Sequence, residues 1–167
     1  MDKQLLSTGK DDWGTPQGFF DNLCKEFNFT LDVCADENNY KIQRYFTQVE
    51  DGLSKEWEGE TVFCNPPYSK RTKSKPGQAD WIKKCYEQHM KYGITVVMLI
   101  AARTDTIAFH DYILGKAEVR FLKGRLKFEI NRKPNKEAAP FPSMVIIYEK
   151  DREARVIGIE EGSVDNG

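Results

Sequence analysis

The chain has 167 residues, 25 basic and 26 acidic, for a net charge of −1; 40% of the residues are hydrophobic and 31% charged. That length fits one domain able to fold without disulfide staples, and the composition excludes collagen-like, disordered and disulfide-scaffold classes. No apolar run approaches the roughly 18 residues of a membrane span, and the stretch from Met1 to Gly14 lacks the apolar segment of a secretory signal.

The first strong element is a helix. Thr15 is placed to cap it and Pro16 to occupy its first position, and Phe19, Phe20, Leu23, Cys24 and Phe27 then recur at helical spacing. Residues 29–34 read as a short buried strand holding Asp32, and Asp36 to Tyr45 as a short helix. Thr61 to Cys64 is a second strand, stopped by Asn65-Pro66-Pro67. A helix is expected from about Ala79 to Lys91. Ile94 to Ile100 is apolar apart from Thr95 and rich in β-branched residues, as in a parallel strand covered on both faces. A helix over Thr106 to Leu114 follows, then strands around Val119–Phe121, Leu126–Ile130, Met144–Tyr148 and Arg155–Ile159. Alternating strands and helices predict an α/β fold with a largely parallel sheet. The later crowding of strands predicts an antiparallel edge or hairpin on the C-terminal side.

The neutral total hides an uneven distribution. Residues 1–60 carry a net −7, residues 61–150 a net +9 and residues 151–167 a net −3. Such asymmetry suits a face built for a polyanion, set against the ordinary variation of solvated surfaces. Cys24, Cys34, Cys64 and Cys85 form no C-x-x-C pair, and neither His89 nor His110 has metal-ligand spacing with a cysteine. No metal site is expected, and the cytoplasm is the expected compartment.

Ligands of open α/β sheets bind outside the carboxyl ends of the strands. The informative strand end is Asn65-Pro66-Pro67-Tyr68. Two prolines fix φ twice and push each preceding residue out of the helical region, so the strand runs into a rigid, extended turn. The Asn65 amide oxygen and the Pro66 carbonyl are then two acceptors near one point, which suits an exocyclic amine with two hydrogens. Tyr68 offers a flat face for the base carrying that amine, with stacking worth roughly 1–3 kcal/mol. The competing reading is a plain turn, which both Asn and Pro favour. Directly afterwards, Lys70, Arg71, Lys73 and Lys75 form a run of four cations without an acid, ended by Pro76-Gly77. This reads as a flexible loop placed for phosphates, or else as solvated surface. From Lys116 to Lys136 there are eight basic and two acidic residues, and Lys123-Gly124-Arg125 is expected to turn a hairpin that presents cations on the same side.

The sequence resembles the phage-type DNA N6-adenine methyltransferases, the Dam type. The resemblance is carried by Trp13-Gly14-Thr15-Pro16, Leu31-Asp32-Val33-Cys34-Ala35, Tyr45-Phe46-Thr47, Glu50-Asp51-Gly52-Leu53, Trp57 and Asn65-Pro66-Pro67-Tyr68-Ser69, in that order. It implies a single-domain, Rossmann-like methyltransferase fold over residues 1–167 with no separate target-recognition domain. It further implies methyl transfer from S-adenosyl-L-methionine to N6 of a flipped-out adenine in DNA, with GATC as the related target. Asn65, Pro66 and Tyr68 would be catalytic. Thr15 and Pro16 would lie near the methionine end of the cofactor, Asp32 and Ala35 in the turn after the first strand, and Asp51 against the adenosine. Lys70, Arg71, Lys73, Lys75, Lys123 and Arg125 would meet DNA. A phage or prophage source is implied, with no membrane association and no obligatory protein partner.

One departure stands out. After Asp32, where many cofactor-binding α/β domains carry a glycine-rich turn, this chain has Asp36-Glu37-Asn38-Asn39. The rival readings are methylation of another planar amine or amide, an RNA base or a protein glutamine, and a nucleic-acid-binding module that has lost catalysis. With no room for a target-recognition domain, sequence choice is expected to come from residues 69–79 and 131–141.

Overall fold

The computed structural model describes residues 13–162, so the stretch before Trp13 and the last residues of the tail lie outside the described part. The elements are α1 (Gln17–Phe27), β1 (Leu31–Asp32), a 3₁₀ turn (Gly52–Ser54), β2 (Val62–Cys64), α2 (Gln78–Tyr92), β3 (Val96–Ala101) and α3 (Ile107–Tyr112). They continue with β4 (Glu118–Leu122), β5 (Glu129–Ile130), β6 (Lys133–Pro134), β7 (Ser143–Tyr148) and β8 (Val156–Ile159). Six strands form one sheet in the order β1-β2-β3-β7-β4-β8, and β5 and β6 pair separately. The pairings β1–β2, β2–β3 and β4–β8 are parallel, whereas β7 is antiparallel to both β3 and β4. The mixed α/β, mostly parallel expectation therefore holds. The reversed strand, however, is not at an edge. It fills the centre, pairing with β3 on one side and β4 on the other, where its largely apolar run is buried at every position.

Alternation along β3 divides the core. Val96, Met98 and Ile100 join one cluster with Trp81, Ile82 and Cys85 of α2 and Phe109 of α3. Val97, Leu99 and Ala101 join the other, where Phe19, Phe20, Leu23 and Phe27 of α1 pack. The apolar stripe of α1 is thus the surface that meets the sheet, and each buried phenylalanine contributes roughly 1.5–3 kcal/mol. The helix stops at Asn28, whose left-handed φ of 55° turns the chain and whose N–H donates to Cys24 O. A buried ionic network lies at this same end of α1: Glu118 holds Arg120, Arg152 and Arg155, and Arg120 reaches Glu26 in the last turn. Arg120, counted in the basic stretch, is therefore an interior residue.

Two local expectations are corrected. Residues 36–45 form turns and no helix. Asp36 and Asn39 bond to the backbone around each other: Asn38 N donates to Asp36 Oδ1 at 2.7 Å and Asp36 N to Asn39 Oδ1 at 2.7 Å. These short polar side chains satisfy the backbone locally and so compete with helix formation. The chain then returns along β1, where Phe46 N donates to Asp32 O and Asp32 N to Arg44 O. Secondly, Lys123–Arg125 does not turn a hairpin, since β4 pairs with β7 and β8 and the next strand, β5, pairs with β6. The hairpin on the C-terminal side is β5–β6, with Asn131 and Arg132 at left-handed φ of 52° and 63° in its tip. Among the described residues, no helix is long and apolar enough to cross a membrane.

Candidate active site

Because β1, β2 and β3 are parallel, the segments after Asp32, Cys64 and Ala101 emerge at one edge of the sheet. The antiparallel β7 begins at that same edge, with Ser143 opposite Ala101, and so delivers Phe141 there. Two cavities open along this edge. The first, about 380 Å³, is lined by Thr15, Asp32, Ala35, Asp51 and Asn65 among others. The second, about 350 Å³, is lined by Tyr68, Ser69, Lys70, Arg103, Pro140 and Phe141. Trp13 borders both.

Asn65 stands at the end of β2, and all its polar side-chain atoms are engaged. Its Nδ2 donates to Trp13 O at 3.2 Å and to Thr15 Oγ1 at 3.0 Å, and its Oδ1 accepts from the Tyr68 hydroxyl. Tyr68 is packed into an aromatic group, 4.7 Å from Phe141, 5.6 Å from Phe128 and 6.2 Å from Trp13 between ring centroids. Burial pushes its phenol further above the usual range, so it stays neutral and can donate. Arg103 Nη1 donates to Tyr68 O at 2.7 Å and fixes the end of the turn. Pro66 is buried within the turn.

The first cavity holds a strongly perturbed carboxyl group. Asp32 is 3% exposed. Burial raises its carboxyl from an ordinary 3.8 to about 7, against the lowering effect of backbone N–H bonds from Lys41 and Cys34. The Lys41 ammonium lowers it less than those backbone bonds do, and is itself bonded to Glu129 Oε1 at 2.7 Å and Gln17 Oε1 at 2.9 Å. A carboxylate desolvated to this degree, and not directly paired with that ammonium, is a place for a cationic ligand. The Cys34 thiol on the same wall is pushed up by burial and stays protonated. Gly52, which also lines this cavity, packs directly on the turn after β1, where an added Cβ would lie 2.3 Å from Val33 O. Asp51 precedes it at a left-handed φ of 56°, its carboxylate accepting from Leu53 N. A cavity of this volume, with a buried carboxylate and an indole wall at Trp81, fits a ligand of the size and positive charge of S-adenosylmethionine.

The expected site residues divide between the two cavities and the surface. Thr15, Asp32, Ala35 and Asp51 share the first cavity, but Pro16 does not line it; it is the N-cap residue of α1. Thr15 is not the cap, and the free Gln17 N–H is taken by Glu129 Oε2 at 3.0 Å. Of the four cations after the turn, Lys70 lines the second cavity and Lys75 the first, while Arg71 lies 3.6 Å from Asp80 and Lys73 is exposed. The loop is tied rather than loose: Thr72 N donates to Lys75 O, Gln78 N to Ser69 O, and Gly77 packs so close that a Cβ would meet Arg71 N at 2.3 Å. Lys123 pairs with Glu160 at 3.8 Å, and Arg125 donates to Ala139 O at 3.2 Å. Arg103, Lys41, Glu129, Phe128 and Phe141 carry no assignment from the sequence. Only Arg103 had a signal, its position just beyond β3.

The model of the DNA N-6-adenine-methyltransferase (Dam) family matches residues 2–165. The chain belongs to that family. It is 29% identical over 145 residues to the DNA N-6-adenine-methyltransferase of Haemophilus phage HP1 (strain HP1c1), covering 84% of this chain and 79% of that protein. It is 27% identical over 124 residues to the DNA N-6-adenine-methyltransferase of Escherichia phage T1, covering 73% of this chain but only 49% of the phage T1 protein.

Proposed function

We propose that this protein transfers a methyl group from S-adenosyl-L-methionine to N6 of an adenine flipped out of DNA, with GATC as the target to test first. The observation that carries the reading is Asn65, a side-chain amide held at a strand end in the wall of the first cavity and bonded to Tyr68, which lines the second, in a chain of the Dam family. Bound in the first cavity, the cofactor supplies a methyl group on a positively charged sulfur. Asp32 would face the cofactor's ammonium group, and Ala35 and Asp51 would border its remaining length. Thr15 and Pro16 are its expected neighbours at the methionine end. The adenine would enter the second cavity, bounded by the aromatic residues Trp13, Tyr68 and Phe141; an unpaired base is required because the amine is otherwise buried in the duplex.

The chain's own groups then do three things. Asn65 Oδ1 and the Pro66 carbonyl accept the two amine hydrogens, which turns the nitrogen lone pair away from the ring and toward the first cavity. Tyr68 packs on the base as a neutral phenol. Lys70, with Arg71 and Lys73 beyond it, meets the phosphates, and Lys123 and Arg125 extend the cationic surface. No ionised base is needed before attack, and the rate gain comes mainly from alignment. Single-domain organisation and work in the cytoplasm of a phage-infected cell belong to the same proposal. The test is incubation with DNA and labelled cofactor followed by nucleoside analysis. N6-methyladenine is the expected product; label in RNA or protein alone, or none at all, would refute it.

A further inference from the structure

We propose that the Trp13 carbonyl selects an amide over a carboxylate at position 65 and that the Thr15 hydroxyl acts with it to hold that amide in one orientation. Thr15 is then a positioning residue of the methyl-transfer site: its side chain borders the first cavity, but its hydroxyl is given to Asn65 and does not cap the helix. The inference rests on the role given to Asn65 above and assigns the residues that make that role possible.

The Asn65 NH₂ group has two hydrogens, and both are used, on Trp13 O at 3.2 Å and Thr15 Oγ1 at 3.0 Å. Trp13 O is a carbonyl oxygen and can only accept. Rotating the amide by half a turn, or replacing it by a carboxylate, would bring oxygen against oxygen at that point. The amide oxygen is thereby directed away from Trp13 and toward Tyr68. Its second lone pair remains for an incoming amine while the Tyr68 hydroxyl occupies the first.

The lock is itself held from outside the turn. Gly14 and Glu129 exchange backbone bonds, Gly14 N to Glu129 O and Glu129 N to Gly14 O, both 2.8 Å, which fixes the chain on which Trp13 O sits. Thr15 is 2% exposed, and the N-terminal end of α1 is served by Glu129, so the hydroxyl is not needed for capping. The β5–β6 hairpin, through Glu129, thus braces the segment that orients the reacting side chain.

The experiment compares Thr15→Val, Thr15→Ser and Asn65→Asp with the wild-type full chain, by methylation kinetics on DNA, cofactor titration calorimetry and hydrogen exchange of the Asn65 side-chain amide. Thr15→Val is expected to lower kcat about tenfold, as for loss of one orienting hydrogen bond, with cofactor Kd changed less than about twofold. Thr15→Ser should restore most of the rate. Asn65→Asp should lose about 100-fold or more although a carboxylate is a good acceptor, because the Trp13 carbonyl then faces an oxygen in place of an N–H donor. The Asn65 NH₂ should exchange slowly in wild type and fast in Thr15→Val. An unchanged kcat in Thr15→Val, a tenfold loss of cofactor affinity there, or full activity of Asn65→Asp would overturn the proposal. A wild-type chain that forms no N6-methyladenine but shows slow Asn65 exchange abolished in Thr15→Val would refute the proposed function and leave the lock standing.

Discussion

Asp32→Asn separates stability from ligand binding. In the free protein the carboxyl is held at about 7 against 3.8 in an exposed chain. Because the folded value is the higher one, the folded state binds more protons than the unfolded state between those values, and stability falls as pH rises through the window. The interval, at about 1.4 kcal/mol per pH unit, makes a penalty of about 4 kcal/mol that is nearly absent at pH 4 and complete above pH 7. The asparagine side chain does not titrate, so the penalty disappears with it. Urea unfolding of both proteins at intervals from pH 4 to pH 8 should show Asp32→Asn gaining on wild type by about 4 kcal/mol across that range, whatever constant offset comes from losing one carboxylate acceptor for Cys34 N or Lys41 N. A difference that does not change with pH would refute the reasoning. The same carboxylate must ionise to face a cation, so wild-type affinity for S-adenosylmethionine should rise with pH up to about 7 and then level off. Calorimetry below that pH should register proton release on binding.

Other outcomes follow from the same geometry. Asn65→Ala should abolish methyl transfer while urea unfolding and cofactor titration stay close to wild type, and retained activity would remove Asn65 from the chemistry. Replacing Lys70, Arg71 and Lys73 by Ala should weaken DNA binding and flatten its salt dependence by about one unit of log–log slope for each phosphate no longer neutralised, read by titration over a salt series. An unchanged slope would take the loop out of the interface. Lys75→Ala should act chiefly on cofactor affinity, because Lys75 lines the first cavity. Gly52→Ala should lower stability and cofactor affinity together, since its Cβ would fall 2.3 Å from Val33 O and 3.2 Å from the Trp81 ring; a variant with wild-type melting and binding would show that the backbone there has room to shift.

Residue pattern alone determined the strands and helices that reach the sheet, because burial of an apolar stripe or run is written into local periodicity. Phe19 to Phe27 and Ile94 to Ile100 are the clear cases, each within about two residues of its element. The Asn-Pro-Pro-Tyr turn was equally legible, since proline imposes its geometry whatever surrounds it. Residues 36–45 misled because side-chain bonds between Asp36 and Asn39 are as local as a helix and won over it. Three decisions belonged to the tertiary structure. The insertion of β7 between β3 and β4 depends on pairing across more than forty residues, and it brings Phe141 to the site. Glu129, far along the chain, caps α1 and braces Trp13. Thr15, equally suited by sequence to a helix cap, gives its hydroxyl to Asn65 because β2 ends beside it. Local pattern specifies what each segment is. Which polar group meets which is settled only when distant segments compete for the same buried partner, and that competition leaves no mark on the spacing of residues.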